Sequence, residues 1–451
     1  MAAVPENDTT NTRAEFSEPA KKDILLELVT EYAQFATICT EPAMIALAAA
    51  KAREILGAIP DRIEVSLSPG VLKNALSAGL PCGDRKGPDV AAALGSTIGI
   101  SDDKRGLQIL AGVSPGNIEA AYEYVDLGKV SVSADNSKAG VYACVTAIHQ
   151  GHVARVVISG SHTNITDLVL DGKSIYEKHS SSQGLSLRNL KKLGFEGLYS
   201  ACMDIDPVEI KFLLHGAESD LRLALKSGEK QACRHSLNGV KDGTGASNEL
   251  PCSDLHTDDL MSRVHHRVLG AISARMGGTP WPVLTSGGSG NQGIMLAVPV
   301  LCAAESLQVG REDAARALYL GHAINLYVKS YMGSISCVCG AVSAGAGVAA
   351  AISWLLSRDI GQVEQSINIV LSALYGMICD GAKASCALKG SVGAIQGLNA
   401  AFMVYRGLSV PEGEGIIGSS IEETLDTVGY LNEKLFSYGD KLILDKVFVN
   451  R

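Results

Sequence analysis

The chain has 451 residues, 46% of them hydrophobic, 19% charged and 5% aromatic, with a formal charge of −9. That length exceeds a single compact core and sets an expectation of two or three domains. The acidic balance, without a basic stripe, argues against a nucleic-acid surface and equally against an anionic membrane. Eleven cysteines, an odd number without framework spacing, read as reduced intracellular thiols.

Residues 1–21 lack an apolar signal core, and their acids argue against an organellar presequence, so a disordered tail on a cytoplasmic protein is expected. Lys22 to Leu56 reads as helix with a break at CTEP, where Thr40 is the expected N-cap, Pro42 lies in the first turn and Gly57 closes the end. Arg62 to Ser66 alternates as a short strand. SPGVLKNALSAGLP and PDVAAALGSTIGI read as small-residue helices, and another helix follows Gly116. From KVSVSAD to DGKSI the chain alternates, favours Val and Ile, and breaks at Gly, Asn or Asp, which predicts strands.

From Gly197 onward no strand is expected. Pro207 to Lys226 and Leu260 to Met276 read as helices, and residues 227–259 as a polar exposed loop. The rest is helix after helix, with Gly-rich turns at 286–293, 333–347 and 376–393. The uncharged run from Ser330 to Ser357 is long enough to span a bilayer, but its Gly, Ala and Ser content reads as a buried core helix. The fold expected is α+β: an α/β N-terminal portion (22–180) followed by an all-helical C-terminal domain (181–451).

Four stretches could carry chemistry. TSGGSGNQGI contains a formal GxGxxG at Gly288, Gly290 and Gly293, but no strand with a terminal acid follows, so a dinucleotide fold is not indicated. The loop reads either as a tight turn or as a nest whose N–H groups, at a helix start, receive a carboxylate. SISCVCGAVSAGAG and GMICDGAKASCALKG together hold four thiols: Cys337, Cys339, Cys379 and Cys386. Their spacing is not that of a zinc site. Iron–sulfur clusters tolerate wider spacing, and core thiols remain at least an equal reading. In ICTEP, Cys39 precedes a helix start, where the dipole would lower its pKa. His162 in GSHTN follows a strand and is a further candidate.

The set ICTEP, SPGVLKN, GSHTNI, ARMGGTPWPVLTSGGSGNQGI, SCVCGAVSAGAG and GMICDGAKASCALK, in that order from about residue 25 to 410, resembles the iron–sulfur L-cysteine desulfidases. That family shares its helical domain with the alpha chain of iron–sulfur L-serine dehydratases. The resemblance implies that the helical domain binds a [4Fe-4S] cluster through three cysteines, leaving one iron open. Cys379 and Cys386 match two ligands, and Cys339 matches the first, with Cys337 as the alternative. Cys39 matches the proposed catalytic base. The family usually has Gly where this chain has Ile38, and Asp where it has Ser273.

The implied reaction is a β-elimination without pyridoxal phosphate, releasing sulfide, ammonia and pyruvate from L-cysteine. The substrate carboxylate would sit on the N–H groups between Ser286 and Gly293, with Ser286, Ser289, Gly290, Asn291 and Gln292 as its binding residues. Lys73, Asn74, Lys329 and Lys383 are candidate polar neighbours. An L-serine dehydratase and a non-catalytic thiol redox sensor are the competing readings. A small amino acid is the expected ligand, with neither nucleic acid nor membrane as partner, and a homo-oligomer stays open.

Overall fold

A computed structural model of the chain describes residues 17–81, 85–99, 106–177, 187–228 and 259–448. Most of the expected tail (residues 1–16) and most of the polar loop at 227–259 therefore lie outside the described residues. Helix α1 (Glu18–Tyr32) begins inside the stretch read as tail. Its Leu25, Leu28 and Val29, at helical spacing, are fully buried in the helical core and not in the α/β one. A two-residue strand, β1 (Phe35–Ala36), then leads into α2 (Thr40–Leu56). The N-cap of α2 is Cys39, one residue before the expected Thr40, whose hydroxyl turns instead to Glu41. Gly57 ends the helix as expected, in the left-handed region at φ 76°, with its N–H on the carbonyls of Arg53 and Glu54.

The next elements are β2 (Arg62–Leu67), α3 (Pro69–Ala75), α4 (Pro88–Ile98), α5 (Pro115–Asp126), β3 (Val130–Ala134), β4 (Tyr142–His149), β5 (His152–Ser159), β6 (Ile165–Leu170) and β7 (Lys173–Glu177). The strands form one sheet in the order β3-β2-β4-β5-β6-β7, parallel only between β2 and β3. Two hairpins turn on residue pairs with positive φ, Gln150–Gly151 and Asp171–Gly172, the geometry that matches the natural strand twist. Ala143, Val145 and Ala147 alternate inward from β4 onto α2. Helix α2 is apolar nearly all round because sheet and α4 cover it from opposite sides.

At α4 the contact is so close that a Cβ on Gly95 would fall onto the Ala46 backbone. Gly95→Ala is therefore expected to destabilise the protein by about 1–3 kcal/mol, the usual range for overpacking. A lower denaturant midpoint at unchanged slope checks this; an unchanged midpoint would refute the close approach.

The helical part comprises α6 (Leu187–Asp204), α7 (Lys211–Gly228), α8 (Leu260–Met276), α9 (Gly290–Ser306), α10 (Arg311–Met332), α11 (Gly340–Ser357), α12 (Ile360–Leu374), α13 (Cys386–Tyr405), α14 (Ile421–Leu431) and the short α15 (Gly439–Ile443). Helix α11 is long and apolar enough to cross a membrane, yet 83% of that stretch is buried. Its glycines explain how it sits there. Gly345 and Gly347 face the carbonyls of Gly393 on α13 and Gly321 on α10, so the backbones nearly touch. One strand interrupts this part against expectation. Residues Val283–Leu284 form β8, antiparallel to β1 with Phe35 opposite Leu284. This pairing carries ICTEP to the edge of the Gly-rich loop, and the turn crosses from one core to the other: Cys39 packs in the helical core, Ile38 and Ala43 in the α/β core.

Candidate active site

Four long helices begin at one cleft. Cys39 caps α2, Ser289 caps α9, Cys339 caps α11, and Cys386 is the first residue of α13. All four residues line a cavity of about 130 Å³, together with Glu41, Asn74, His162, Arg275, Lys329 and Cys379. Each helix start presents unpaired N–H groups and a partial positive charge, so the cavity favours anions and thiolates.

The cysteine loops meet through backbone. Cys339 N–H donates to Met377 O at 2.8 Å and Cys379 N–H to Cys337 O at 2.6 Å, on either side of the bridge between Val338 and Ile378. Alternation along such a pair would put Cys337 and Cys339, two residues apart, on one face, but the chain turns into α11 at Cys339 and the two sulfurs diverge. Cys339 lines the cavity beside Cys379, to which its thiol is hydrogen-bonded; the Cys337 sulfur lies against Gly439 at the start of α15. That hydrogen bond, helped by the Lys73 ammonium, overcomes burial and draws the Cys379 thiol below its ordinary range. Gly381, at φ 94°, turns the chain so that Cys386 returns to the same cavity, its sulfur 3.4 Å from the Lys383 N–H.

Among the described residues, no three His, Cys, Asp or Glu side chains could hold a single metal ion. Cys339, Cys379 and Cys386 nonetheless line this cavity together, and a cluster, unlike a single ion, would take each sulfur on a different iron. Lys73 and Lys383 stand behind this loop and not on the cavity wall. Lys73, fully buried, donates to Cys379 O at 2.9 Å and pairs with Asp440 at 2.6 Å; Lys383 pairs with Asp380.

Opposite the thiols, Cys39 is 4% exposed. Its pKa runs against the sequence expectation. Burial pushes the thiol up to about 12, although Arg275, with Nη1 at 3.7 Å, draws it down. Desolvation of the thiolate outweighs the helix start. His162, also buried, faces Gly288 and the cavity; its Nε2 has no partner, and burial holds the imidazole neutral below its ordinary 6.5. Lys329 donates to Gly287 O at 2.6 Å, and burial brings it down to about 8.

The sequence pattern described as "Serine dehydratase alpha chain" matches residues 104–445. The chain belongs to the serine dehydratase alpha chain family. Its similarity to curated relatives spans nearly all of both chains. A UPF0597 protein of Moorella thermoacetica is 38% identical over 404 residues, 90% of this chain and 92% of that protein. One from Desulfotalea psychrophila is 34% identical over 423 residues, covering 90% and 94%. One from Clostridioides difficile is 33% identical over 427 residues, covering 93% and 98%. These names state no activity.

Within this family member the Gly-rich loop is both of the structures expected of it, in different halves. Ser286 and Ser289 exchange N–H to carbonyl bonds at 3.0 Å, Gly288 N–H bonds Tyr32 O, and Gly293 N–H bonds Ser289 O. The donors left for an anion are those of the first turn of α9, at Gly290, Asn291 and Gln292. Ser289, Asn291 and Gln292 line the cavity; Ser286 and Gly290 stand behind it. The Ser286 hydroxyl accepts from Asn325, and a Cβ on Gly290 would collide with the Arg275 guanidinium. Asn325, fully buried on α10, also holds Gln292 Oε1 at 3.0 Å, which aims the amide nitrogen at Gly340 beside Cys339. Arg275, Glu41 and Asn325 were absent from the residues singled out by sequence. The available signal was charge and amide inside otherwise apolar helices.

Proposed function

We propose that this chain is an iron–sulfur L-cysteine desulfidase, converting L-cysteine and water to pyruvate, ammonia and sulfide. The observation that supports it is the convergence of Cys339, Cys379, Cys386 and Cys39 on one cavity fed by four helix starts. The donor set fits a [4Fe-4S] cluster: three thiols, one already favouring thiolate, at positively polarised helix ends. Cys339, Cys379 and Cys386 would hold it. Bound through three thiolates, such a cluster offers an open iron that acts as a thiophilic Lewis acid.

The chain's own residues supply the rest. Asn291 and Gln292 N–H groups bind the carboxylate, assisted by Ser289. Cys39, as thiolate, takes the proton from Cα. The buried walls keep water from this step, and the aminoacrylate formed after sulfide departs hydrolyses to pyruvate and ammonia. A redox sensor calls for exposed, oxidisable thiols, whereas Cys39 is 4% exposed and shares a cavity with the others.

The family description favours a second reading, elimination of water from L-serine. Thiolate is the softer ligand and better leaving group, and soft ligands suit cluster iron. Anaerobic, iron-reconstituted protein is expected to release sulfide and pyruvate from L-cysteine, with kcat/KM for L-serine at least about tenfold lower, roughly 1.4 kcal/mol at the transition state. Equal or better turnover of L-serine moves the chain to the dehydratases. Release of neither product with the cluster intact removes the enzymatic reading.

A further inference from the structure

The cavity wall carries two buried charges of opposite sign, and neither forms an ion pair among the described residues. Arg275 is 2% exposed. Its Nη1 donates to Asn291 Oδ1 at 2.9 Å and its Nη2 to Ile38 O at 2.5 Å, while Nε is buried without a partner. Among the described residues no acid stands within ion-pair distance of it. The nearby buried Asp220 does not compensate, because burial pushes its carboxyl well above the usual range. Glu41 is 9% exposed and lines the same cavity. Its Oε1 accepts from Asn74 at 2.8 Å and its Oε2 from the Thr40 hydroxyl at 3.2 Å, again without a cation at ion-pair distance among the described residues. The remaining cation lining the cavity, Lys329, donates to Gly287 O and feels the Glu41 charge without an ion pair to it.

An uncompensated buried charge is costly, and two of opposite sign on one wall call for a ligand carrying both. A zwitterion does. We infer that Arg275, with the first-turn N–H groups of α9, receives an α-carboxylate and that Glu41, held by Asn74, receives an α-ammonium. This rests on the proposed amino-acid lyase and adds the residues that select α-amino acids over other carboxylates. Geometry places the selected centre. Cys39 precedes Glu41 by two residues, and its sulfur lies 3.7 Å from Arg275, so a ligand bridging the two charges presents its Cα to that sulfur. Asn291 has a double part: its N–H faces the anion, and its Oδ1 orients the guanidinium.

The test uses L-alanine, propionate and ethylamine, titrated calorimetrically into anaerobic, cluster-loaded protein. L-alanine carries both charges and nothing to eliminate, so binding is read whether or not the protein is a desulfidase. Wild-type protein is expected to bind L-alanine at least about tenfold more tightly than propionate, and ethylamine most weakly, since charge-assisted contacts are the strong ones. Glu41→Gln should weaken L-alanine by about tenfold and leave propionate within about twofold; Arg275→Lys should weaken both alike, because an ammonium does not reproduce the fork. Should Arg275→Lys fail to fold, Asn291→Ala, which releases the guanidinium, is expected to weaken both ligands while Glu41→Gln remains the discriminating variant. Equal wild-type affinity for L-alanine and propionate, no binding of any of the three, or a Glu41→Gln protein with wild-type L-alanine affinity overturns the receptor. The expected binding pattern alongside absent sulfide and pyruvate release instead upholds it and sinks the desulfidase.

Discussion

Cys339→Ala, Cys379→Ala and Cys386→Ala proteins, reconstituted anaerobically with iron and sulfide, are expected to lose cluster iron and visible absorption, whereas Cys337→Ala keeps both. The reason is that Cys339 lines the cavity at the start of α11, whereas the Cys337 sulfur lies against Gly439. Removing one of three ligands leaves two, and with an electrophile lost, elimination should fall on the order of 10³-fold, the upper range for deleting a single electrostatic stabiliser. Far-ultraviolet circular dichroism should match wild type, because the loop is held by backbone bonds and by Lys73 on Cys379 O, none of which needs a thiol. Iron retained by Cys339→Ala and lost from Cys337→Ala would transfer the first ligand to Cys337. Iron retained by all four would remove the cluster from this site.

The elements most legible in the sequence were those set by local signals. Leu260–Met276 ends where expected, with Arg275 and Gly277 after an apolar stripe. Gly57 supplies the left-handed residue that closes α2. Strand β8 was not legible, since two residues carry no periodicity and exist as strand only through pairing with β1. Cys39, Cys339, Cys379, Cys386, Asn291 and Gln292 could be singled out because their motifs are local, and the structure gathers them at one cavity, while Cys337 lies apart. The direction of the Cys39 shift could not, because desolvation depends on α8 and on the helical core, some 230 residues away in sequence. Arg275 and Glu41 escaped for the same reason. In one dimension a charged residue in a helix reads as a solvated one, and only packing reveals that water has been removed.

Cys39→Ser is expected to keep iron and colour and to lower kcat/KM by roughly 100-fold or more, the range for losing a general base. Two candidate bases in the cavity make different predictions for how wild-type activity responds to pH. A thiol pushed up to about 12 is almost wholly protonated near neutrality, and only its thiolate can take the Cα proton. With Cys39 as base, kcat/KM of free enzyme should therefore climb about tenfold per pH unit from neutral into the alkaline range. His162 is a base in its resting form, since burial keeps it neutral below 6.5 and leaves Nε2 unpartnered; were it the base, the profile would already be flat above 6.5.

The alkaline limit follows from the same shift. Below the ordinary thiol value of 9.0, Cys39 is protonated in folded and unfolded chain alike, and its neutral burial contributes fully. Between 9.0 and about 12 the unfolded chain ionises first, so the unfolded state binds fewer protons and stability falls as pH rises. Rates are therefore to be compared below about pH 9. A rising limb that Cys39→Ser abolishes, with iron intact, places the base at Cys39. A flat profile, unchanged in Cys39→Ser and lost in His162→Gln, places it at His162. Loss of iron from Cys39→Ser would make Cys39 a ligand, because a serine hydroxyl preserves the helix cap but not the soft sulfur that iron would require there.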